Sequence, residues 1–389
     1  MTSERPQAEV VVIGAGIVGA ACAYYCAEAG LAVRVVERGA VAGGTTSGGE
    51  GNILVSDKEP SPELDLALLS VRLWTELGER FGPERLELQT KGGVLVAQTA
   101  DAARALAEIG KQQRALGIEV IDATPAELFE LEPNLTREVQ AGALYPQDMQ
   151  VQPMLAAAEL LRQARARGAR LHTGTAVTGI RRDRRGAITG VRTSAGDFAA
   201  RWVINAAGTW GGEVAAMAGA PIPVLPRRGF ILVTEPLPQV IRHKVYTVDY
   251  LANVASGDAG LETSVVVEGT QAGTVLIGAS RERVGFDRRI SLPVLRRLAA
   301  QAIGVFPFLA DVALLRSYVG FRPYSPDHLP VIGEDERVPG LVHACGHEGA
   351  GIGLAAATGH LIARQLTGLA PELDLTPFRP NRFSPQEVA

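Results

Sequence analysis

Short apolar runs and glycine-rich turns alternate at the start of the chain. Residues 10–13 are all apolar, residues 14–19 read Gly-Ala-Gly-Ile-Val-Gly, and a second apolar run ends at Glu37. The small residues between these runs fit a helix that ends before Gly30. The pattern therefore predicts a strand, a helix and a second strand that together form a βαβ unit.

Helical and strand-like spacing recurs along the rest of the chain. Leucines at helical spacing predict a helix that begins at Ser61-Pro62, and further helices are predicted over 101–115, 124–131, 153–168, 292–304 and 354–368. Residues 87–99 are strand-like, with Gly92-Gly93 as a turn, and residues 169–208 hold three or four strand patterns. Residues 221–285 are β-rich with short turns, which favours an antiparallel sheet, whereas residues 140–153 are predicted to be irregular.

The order of these patterns predicts an α/β fold with two interleaved domains. Nucleotide-domain patterns lie at the start, the middle and the end of the chain, and antiparallel and helical material fills the gaps between them. We predict a Rossmann-type dinucleotide-binding domain made of residues 1–85, 150–220 and 320–385. Residues 86–149 and 221–319 would form the substrate domain with its antiparallel sheet.

The first glycine turn has the spacing of a dinucleotide-binding motif. Gly14 permits a tight turn, Gly16 lets the backbone approach a pyrophosphate, and Gly19 lets the following helix pack closely on the sheet. The N-terminus of that helix directs free N–H groups towards the phosphates. Glu37 follows Gly14 by 23 positions, close to the place of a carboxylate that binds a ribose hydroxyl.

Composition and charge exclude several other classes of protein. The 389 residues are 47% hydrophobic and 21% charged, and the net charge of −4 comes without the basic stripe that nucleic-acid binding needs. The three cysteines form no disulfide framework, and Cys22 and Cys26 lack the neighbouring ligands of a metal site. We see no secretory signal and no apolar run of membrane-spanning length, so we expect a cytoplasmic protein that could reach the inner face of a membrane only peripherally.

Two later glycine-rich segments have the character of ligand sites. Residues 203–215 form an apolar strand that ends in small residues, which suits either a flat ligand or close packing at the strand's end. Residues 343–359 place glycines around the start of a helix, where free N–H groups can stabilise an anion. A nicotinamide enzyme would account for the first motif, but it would not explain these two later segments.

Taken together, the three segments resemble the FAD-dependent D-amino-acid oxidase family, which includes glycine oxidase and sarcosine oxidase. The resemblance is carried by GAGIVG, GTTSGGEGN, INAAGTW, GFRPYSPDHLPVIG and CGHEGAGIGLAAATG, and it covers essentially the whole chain. Within the family, EGNILVSDKEP and LPRRGFILVTEP are most similar to the FAD subunits of hydrogen cyanide synthase, opine oxidase and hydroxyproline dehydrogenase. The resemblance implies a glutathione-reductase-like FAD domain.

The resemblance also implies which residues would bind FAD. The glycines of the first turn would cradle the pyrophosphate, Glu37 the ribose and Arg38 the adenine, and the final glycine segment would follow the pyrimidine edge of the flavin. A helix N-terminus at that edge would favour the reduced, anionic flavin. The residues implied at the cofactor are Gly14, Gly16, Ile17, Val18, Gly19, Glu37, Arg38, Thr45, Thr46, Ser47, Gly51, Asn52, Val177, Ala207, Gly208, Trp210, Gly346, His347, Gly349, Gly351 and Ile352.

On the substrate side, the family pattern implies that Arg322 clamps a carboxylate. Arginine suits this role because its planar fork makes two parallel bonds and keeps its charge, although a structural salt bridge is the alternative. Tyr246 and Tyr250 could bind substrate or could be half-buried tyrosines of a sheet. His347 could lie near the flavin or cap the final helix. Arg322, Tyr250 and His347 are therefore our candidate catalytic residues.

The sequence departs from relatives at two points. The loop over residues 320–326 has no cysteine, so we predict FAD that is bound non-covalently. Gly349 stands where glycine oxidase has a second arginine, which makes room for a substrate bulkier than glycine.

The expected reaction is oxidation of the CH–NH bond of a small amino or imino acid by hydride transfer to flavin N5. Candidate substrates are D-amino acids, hydroxyproline, sarcosine, glycine and opines. The alternatives are oxidation of a C–OH substrate on the same fold, and service as the FAD subunit of a hetero-oligomeric dehydrogenase. Oxygen, a quinone or a partner protein would accept the electrons, and the sequence leaves open whether the chain forms a homo- or hetero-oligomer.

Overall fold

A computed structural model of the chain describes residues 8–254 and 256–384. Most helices begin where the sequence predicts, and several carry proline in the first turn, where its missing N–H costs nothing. The helices are α1 (Ile17–Glu28), α2 (Pro62–Phe81), α3 (Ala100–Ala115), α4 (Pro125–Leu131), α5 (Pro153–Ala166), α6 (Gly211–Met217), α7 (Val248–Val254), α8 (Leu292–Val305) and α9 (Gly351–Leu366).

The strands fall into two large and two small sheets. In chain order they are β1 (Val10–Ile13), β2 (Val33–Val36), β3 (Asn52–Ile53), β4 (Gly93–Ala97), β5 (Ile121–Ala123), β6 (Ala141–Tyr145), β7 (Met149–Gln150), β8 (Arg170–His172), β9 (Val177–Arg182), β10 (Ile188–Thr193), β11 (Gly196–Ala199), β12 (Trp202–Asn205), β13 (Leu225–Thr234), β14 (Lys244–Thr247), β15 (Glu262–Gly269), β16 (Val275–Arg281), β17 (Leu314–Tyr324), β18 (Val331–Glu334) and β19 (Leu341–Cys345).

The first large sheet has six strands in the order β18-β19-β12-β1-β2-β8. Its strands are parallel except for β18, which runs antiparallel to β19. The sheet confirms the predicted α/β class and the first βαβ unit. Because β1, β2, β12 and β19 are parallel, their carboxyl ends meet along one edge, where ligands bind in folds of this kind.

Helix α1 packs in the middle of this half of the molecule and is buried from Gly19 to Ala27. Its small residues allow close contact with α9, since a methyl group at Gly359 would lie 2.6 Å from the carbonyl carbon of Ala21. Cys22 and Cys26 are free thiols buried in this core.

The second large sheet has eight strands in the order β17-β13-β16-β15-β14-β4-β6-β5. It is antiparallel as predicted, except where β14 runs parallel to β4. Helix α8 packs against one face and closes a separate hydrophobic core. The strands of each large sheet come from the chain segments assigned to one predicted domain, apart from β17, which crosses the boundary at residue 320, and the division into two domains stays a prediction. Its residues 1–7, 255 and 385 lie outside the described residues.

Three expectations about local structure are wrong. Residues 140–153 are not irregular, because they contain β6 and β7, and β6 lies between β4 and β5. Its small residues hid the strand pattern; they are small because a methyl group at Gly142 would lie 2.6 Å from the side chain of Leu128. Residues 248–254 form α7 instead of continuing a strand, and residues 169–208 hold five strands, not three or four.

Among the described residues, no helix is both long enough and apolar enough to cross a membrane.

Candidate active site

One large cavity, of about 500 Å³, runs along the carboxyl edge of the six-stranded sheet and continues towards β17 and α9. The predicted glycine segments all reach it, and the eight-stranded sheet contributes its opposite wall through Gly229, Ile231 and Arg281. Its position between the two sheets is the usual one for a cofactor and a substrate that must meet.

The first glycine turn depends on two close backbone approaches. Gly14 has a positive φ of 107°, and a methyl group there would lie 2.5 Å from the carbonyl oxygen of Ala206. Gly19 packs against the carbonyl of Gly14, so a side chain at Gly19 would push the helix away from the turn. Gly14 and Gly16 line the cavity, whereas Gly19 lies behind them and shapes the turn.

The start of helix α1 is capped from a distant loop. The hydroxyl of Thr46 accepts a hydrogen bond from the N–H of Ile17 at 3.0 Å, and Gly16 itself has no side chain to cap the helix. The cavity therefore meets a helix N-terminus of positive character that is lined with glycine. This arrangement suits a pyrophosphate.

Glu37 joins the first turn to the end of β2. Its carboxylate accepts hydrogen bonds from the N–H of Ala15 at 2.9 Å and from the N–H of Gly39 at 2.7 Å. Next to it, the guanidinium of Arg38 lies 3.9 Å from the ring centroid of Trp210, which is stacked on Phe286. A carboxylate and a flat aromatic surface thus lie at the same end of the cavity.

The segments that form the cavity are held together by specific bonds. The hydroxyl of Thr45 donates to Thr209 at 2.9 Å, and Thr209 donates to the carbonyl of Phe321 at 2.8 Å. Close by, Gly48 and Gly320 pack backbone against backbone, because a methyl group at Gly48 would lie 2.7 Å from the Cα of Gly320. These contacts fix β17, and hence Arg322, relative to the glycine turns.

Helix α9 directs its N-terminus into the cavity. Gly349, Gly351 and Ile352 line the wall, and the helix has no side-chain cap. His347 is buried, and its Nε2 lies 3.0 Å from the hydroxyl of Thr358, which itself donates to the carbonyl of Leu354. His347 therefore donates to Thr358 and does not cap the helix, and burial lowers the pKa of His347 to about 3, so that the ring is neutral.

Arg322 lines the cavity and forms no salt bridge with any carboxylate of the described residues. Its Nη1 donates to the carbonyl of Ser280 at 2.7 Å, which leaves its other N–H groups for a ligand. Gly229 makes room for the guanidinium, since a side chain at this position would overlap Nη1. Burial, reinforced by the charge of Arg281, lowers the pKa of Arg322 to about 10, so the group remains a cation at neutral pH.

Tyr250 reaches the cavity from helix α7 and not from a strand. It is buried and lies close to Arg281, whose guanidinium is 5.7 Å from the ring centroid. Burial raises the pKa of Tyr250, so the phenol stays protonated and can donate a hydrogen bond. Tyr246, in contrast, is a buried tyrosine of β14 that donates to Asp148 at 2.9 Å and does not line the cavity.

Several charged wall residues were not identified from the sequence. Lys58 pairs with Asp57 at 3.0 Å and with Glu63 at 3.4 Å, and all three line the cavity near Tyr250. Arg281 lies on β16, and Glu50 lies on the loop formed by the GTTSGGEGN segment, between Gly49 and Gly51. The loop containing Glu50 was singled out as a ligand site, but no local pattern marks Arg281, because only the sheet register brings β16 to the wall.

Most of the predicted site residues belong to the lining of this one cavity. The structure places on it Gly14, Gly16, Ile17, Val18, Glu37, Arg38, Thr45, Thr46, Asn52, Val177, Ala207, Gly208, Trp210, Tyr250, Arg322, His347, Gly349, Gly351 and Ile352.

Four predicted residues lie behind the wall. Gly19 packs on the first turn, and Ser47 donates to the carbonyl of Gly44 at 3.1 Å. Gly51 packs against the carbonyl of Val151, and a methyl group at Gly346 would lie 2.8 Å from the hydroxyl of Ser325. These contacts shape the loops that carry the wall residues.

The groups that line the cavity match the chemical parts of FAD. A glycine cradle, two helix N-termini, a carboxylate and an aromatic surface line one continuous space, as a dinucleotide with a flat ring system at each end requires. None of the chain's three cysteines lines it, and Cys345 is buried with a pKa raised to about 12. Fold and cavity thus fit a protein that binds FAD.

The chain belongs to the DAO family of FAD dependent oxidoreductases, whose pattern it matches over residues 9–365. It is 32% identical to the hydrogen cyanide synthase subunit HcnC of Pseudomonas aeruginosa, over 98% of this chain and 97% of that protein. These findings confirm the predicted family, the FAD cofactor and the enzymatic class.

Solved structures agree with this assignment. Glycine oxidase from Geobacillus kaustophilus superposes with a TM-score of 0.87 at 28% identity, covering 97% of this chain and 99% of that one. L-Proline dehydrogenase from P. horikoshii superposes with a TM-score of 0.88 at 26% identity, covering 98% of this chain and 99% of that one.

Proposed function

We propose that the protein oxidises the CH–NH bond of a small amino or imino acid. The observation that carries this proposal is Arg322, a cation that forms no salt bridge within residues 8–254 and 256–384 and lies on the wall of the cavity that also holds the glycine cradle. A guanidinium whose remaining N–H groups face a cavity suits a carboxylate, which it binds through two parallel charge-assisted bonds. Similarity to proteins named glycine oxidase and L-proline dehydrogenase supports an amino-acid substrate.

In this proposal, the cofactor residues act as the family resemblance implies. The first glycine turn and the N-terminus of α1 bind the pyrophosphate, and Glu37, Arg38, Val177 and Trp210 bind the adenosine end. Residues 45–52, Gly208 and the N-terminus of α9 hold the flavin end. Bound FAD would supply the two-electron acceptor for a hydride.

The protein's own contribution is positioning. Arg322 holds the carboxylate and so directs the α carbon and its hydrogen towards the cofactor. Tyr250 donates a hydrogen bond from α7 and closes the substrate end of the cavity. His347 stays neutral, so the positive character at the start of α9 comes from backbone N–H groups and favours the added negative charge of the reduced cofactor.

Anaerobic reduction of the flavin tests this function. The FAD-loaded protein is mixed with a panel of D- and L-amino acids, imino acids and matching 2-hydroxy acids, and the flavin absorbance is followed. We expect bleaching by one or more amino or imino acids and none by their hydroxy counterparts. Bleaching by hydroxy acids alone would instead establish the C–OH alternative.

Variants of one strand test the role of Arg322. Losing two charge-assisted bonds of about 1.5–3 kcal/mol each predicts that Arg322→Ala raises KM about 100-fold or more. Arg316→Ala is the matched control, because Arg316 lies on the same strand but is exposed. An unchanged KM in Arg322→Ala, with flavin still bound, would contradict the carboxylate clamp.

A second candidate function is that of an FAD subunit in a larger dehydrogenase. The observation that favours it is the similarity to HcnC, which is named as a subunit of hydrogen cyanide synthase. In that case the isolated chain would be reduced by substrate but would pass electrons to oxygen slowly, and a partner protein or a quinone would accept them. Comparing peroxide formation with reduction of an artificial acceptor distinguishes the two.

A further inference from the structure

Glu50 is a buried carboxylate in the wall of the substrate cavity with no cation of its own. Its side chain is only 7% exposed, and Oε2 accepts a single long hydrogen bond from the Asn52 amide at 3.3 Å. Within residues 8–254 and 256–384, Oε1 has no hydrogen-bond partner and Glu50 enters no ion pair. Leaving a buried carboxylate uncompensated costs several kcal/mol, so the site favours a cationic ligand.

The neighbouring cations are already engaged with other groups. Lys244 forms a buried ion pair with Glu268, behind Glu50. Arg322 donates to the carbonyl of Ser280 and has its remaining N–H groups for a carboxylate. A positive group supplied by the ligand would therefore complete the charge balance of this wall.

The side chains of Glu50 and Arg322 contact strand β16 at positions that are two residues apart, Gly278 and Ser280. Arg322 Nη1 bonds to the carbonyl of Ser280, and a methyl group at Gly278 would lie 2.5 Å from Glu50 Oε1. Two residues of chain span at most about 7 Å. An α-amino acid separates its carboxylate from its nitrogen by one carbon, and a charge-assisted hydrogen bond at each end adds about 2.8 Å. One amino acid can thus bridge the two side chains.

We propose that Glu50 binds the ammonium group of the substrate and removes one proton from it, while Arg322 holds the carboxylate of the same molecule. The inference rests on the proposed function, since it assumes an amino-acid substrate. It assigns a catalytic role to a residue that the sequence did not single out.

The proton transfer is balanced within the site. One N–H bond of the ammonium group breaks and an O–H bond forms on Glu50, so the substrate's positive charge and the carboxylate's negative charge disappear together. The nitrogen lone pair that is released becomes the second C–N bond of an iminium product as the α hydrogen leaves with its two electrons, which bound FAD would accept, so the positive charge of the iminium balances the negative charge of the transferred hydride. The proton on Glu50 returns to solvent when the product leaves.

The electrostatic surroundings suit a proton acceptor. Burial, helped by the negative charge of Glu268, raises the pKa of Glu50 to about 7, which brings it closer to that of an amine. The charges of Lys244 and Arg322 act in the opposite direction. The titratable and charged groups that face Glu50 from the surrounding elements are Lys244 on β14, Glu268 on β15, Tyr318 and Arg322 on β17, and Tyr250 on α7.

This pairing also predicts selectivity for an amine over an alcohol. A 2-hydroxy acid would satisfy Arg322 but would leave the Glu50 carboxylate buried without a positive partner. The wall therefore disfavours the C–OH substrates that the same fold could otherwise accept.

The test compares Glu50→Gln with a matched control in the FAD-loaded protein. Glu132 provides the control, because it is equally buried and has an oxygen without a partner, but it lies away from the cavity. For an amino acid that reduces the wild type, the anaerobic reduction rate is measured across the neutral pH range. Acetate binding is measured separately through the flavin spectrum.

We expect wild-type reduction to slow as the pH falls below about 7, because Glu50 must be ionised to accept the proton. Glu50→Gln should reduce the flavin at least about 100-fold more slowly, which is the usual range for loss of a general base, and its pH profile should lose this acidic limb, the decrease in rate below about pH 7. Its affinity for acetate should not fall, since Arg322 is intact. Glu132→Gln should keep the wild-type pH profile.

Glu50→Asp is a second test variant, which retains the carboxylate on a shorter side chain. We expect its rate to lie between those of the wild type and Glu50→Gln, and its pH profile to keep the acidic limb. A Glu50→Gln protein with the wild-type rate and pH profile would overturn the inference. So would a Glu50→Asp protein that lacks the limb while Glu132→Gln keeps it. If no amino acid reduces the wild type, the proposed function itself fails, which is a different result from these.

Discussion

Replacing Gly14 with alanine perturbs the first turn of the FAD cradle with one added methyl group. Gly14 has a φ of 107°, and the methyl group would lie 2.5 Å from the carbonyl oxygen of Ala206 and 3.1 Å from its carbonyl carbon. The clash is between the backbone at Gly14, which follows β1, and the backbone at Ala206, which follows β12. It can therefore be relieved only by shifting β1 against β12. The turn must therefore open where the pyrophosphate would lie.

The size of the effect follows from two contributions. Holding an L-residue at positive φ costs about 1–2 kcal/mol. Forcing a methyl group into a close-packed backbone contact adds about 1–3 kcal/mol. Gly14→Ala should therefore lose about 2–5 kcal/mol of stability and, because the cradle changes shape, should bind FAD at least about 10-fold more weakly.

Gly30→Ala separates the two contributions. Gly30 ends the helix of the same βαβ unit at a φ of 86°, but nothing lies within 4 Å of the added methyl group. This variant should lose only the backbone contribution of about 1–2 kcal/mol and should bind FAD like the wild type.

The assay combines thermal unfolding with titration of FAD into the apoprotein, followed by flavin absorbance and fluorescence. Gly14→Ala should melt below Gly30→Ala and should need more FAD for saturation. If Gly14→Ala binds FAD as tightly as Gly30→Ala does, the assignment of this turn to the pyrophosphate is wrong.

Three further predictions concern the cofactor link, the substrate clamp and pH. We expect acid precipitation to release the FAD into the supernatant, because no cysteine lines the cavity; yellow colour that stays with the pellet would contradict non-covalent binding. Gly229→Ala should displace the Arg322 guanidinium and raise KM for the amino acid about 10–100-fold, the equivalent of one charge-assisted hydrogen bond, while FAD stays bound; steady-state kinetics that match the wild type would show that the guanidinium does not need this space. Burial depresses the pKa of His347 to about 3, so its contribution to stability is present above the ordinary histidine pKa and is lost as the pH falls towards 3. His347→Gln should therefore flatten the acidic side of a plot of melting temperature against pH, and an unchanged slope would refute the buried neutral ring.

Much of the fold could be predicted because its signals are local. The βαβ unit combines apolar runs with glycines whose spacing follows from one turn, and α2 shows a clear stripe of leucines. Helix α4 begins at Pro125 and is capped by Thr124 in a complete capping box with Glu127, so four consecutive residues and their bonds fix its start.

The misread elements are those in which tertiary contacts outweigh local preference. Strand β6 consists largely of small residues because α4 covers it, and small residues give little alternation. Helix α7 contains Val248 and Tyr250, which favour strands locally, yet the chain turns at Thr247 and packs against β15 instead. As a result, Tyr250 reaches the cavity from a helix.

The residues of the candidate site also fall into those marked by a local sequence motif and those placed only by tertiary contacts. The glycine segments and Arg322 stand in recognisable motifs and were found from the sequence. Arg281 and Gly229 lie on the neighbouring strands β16 and β13, and only the pairing of these strands in the eight-stranded sheet brings them to the cavity. The burial of Glu50 likewise depends on β16, which is far from it in the chain.

The most direct test of the account is the rate at which the bound flavin bleaches, without oxygen, on mixing with an amino acid and with the same amino acid deuterated at its α carbon. The account predicts that bleaching occurs, that it is slower with the deuterated compound, and that Arg322→Ala needs far more of either to reach the same rate. A flavin that no amino or imino acid bleaches would contradict the account.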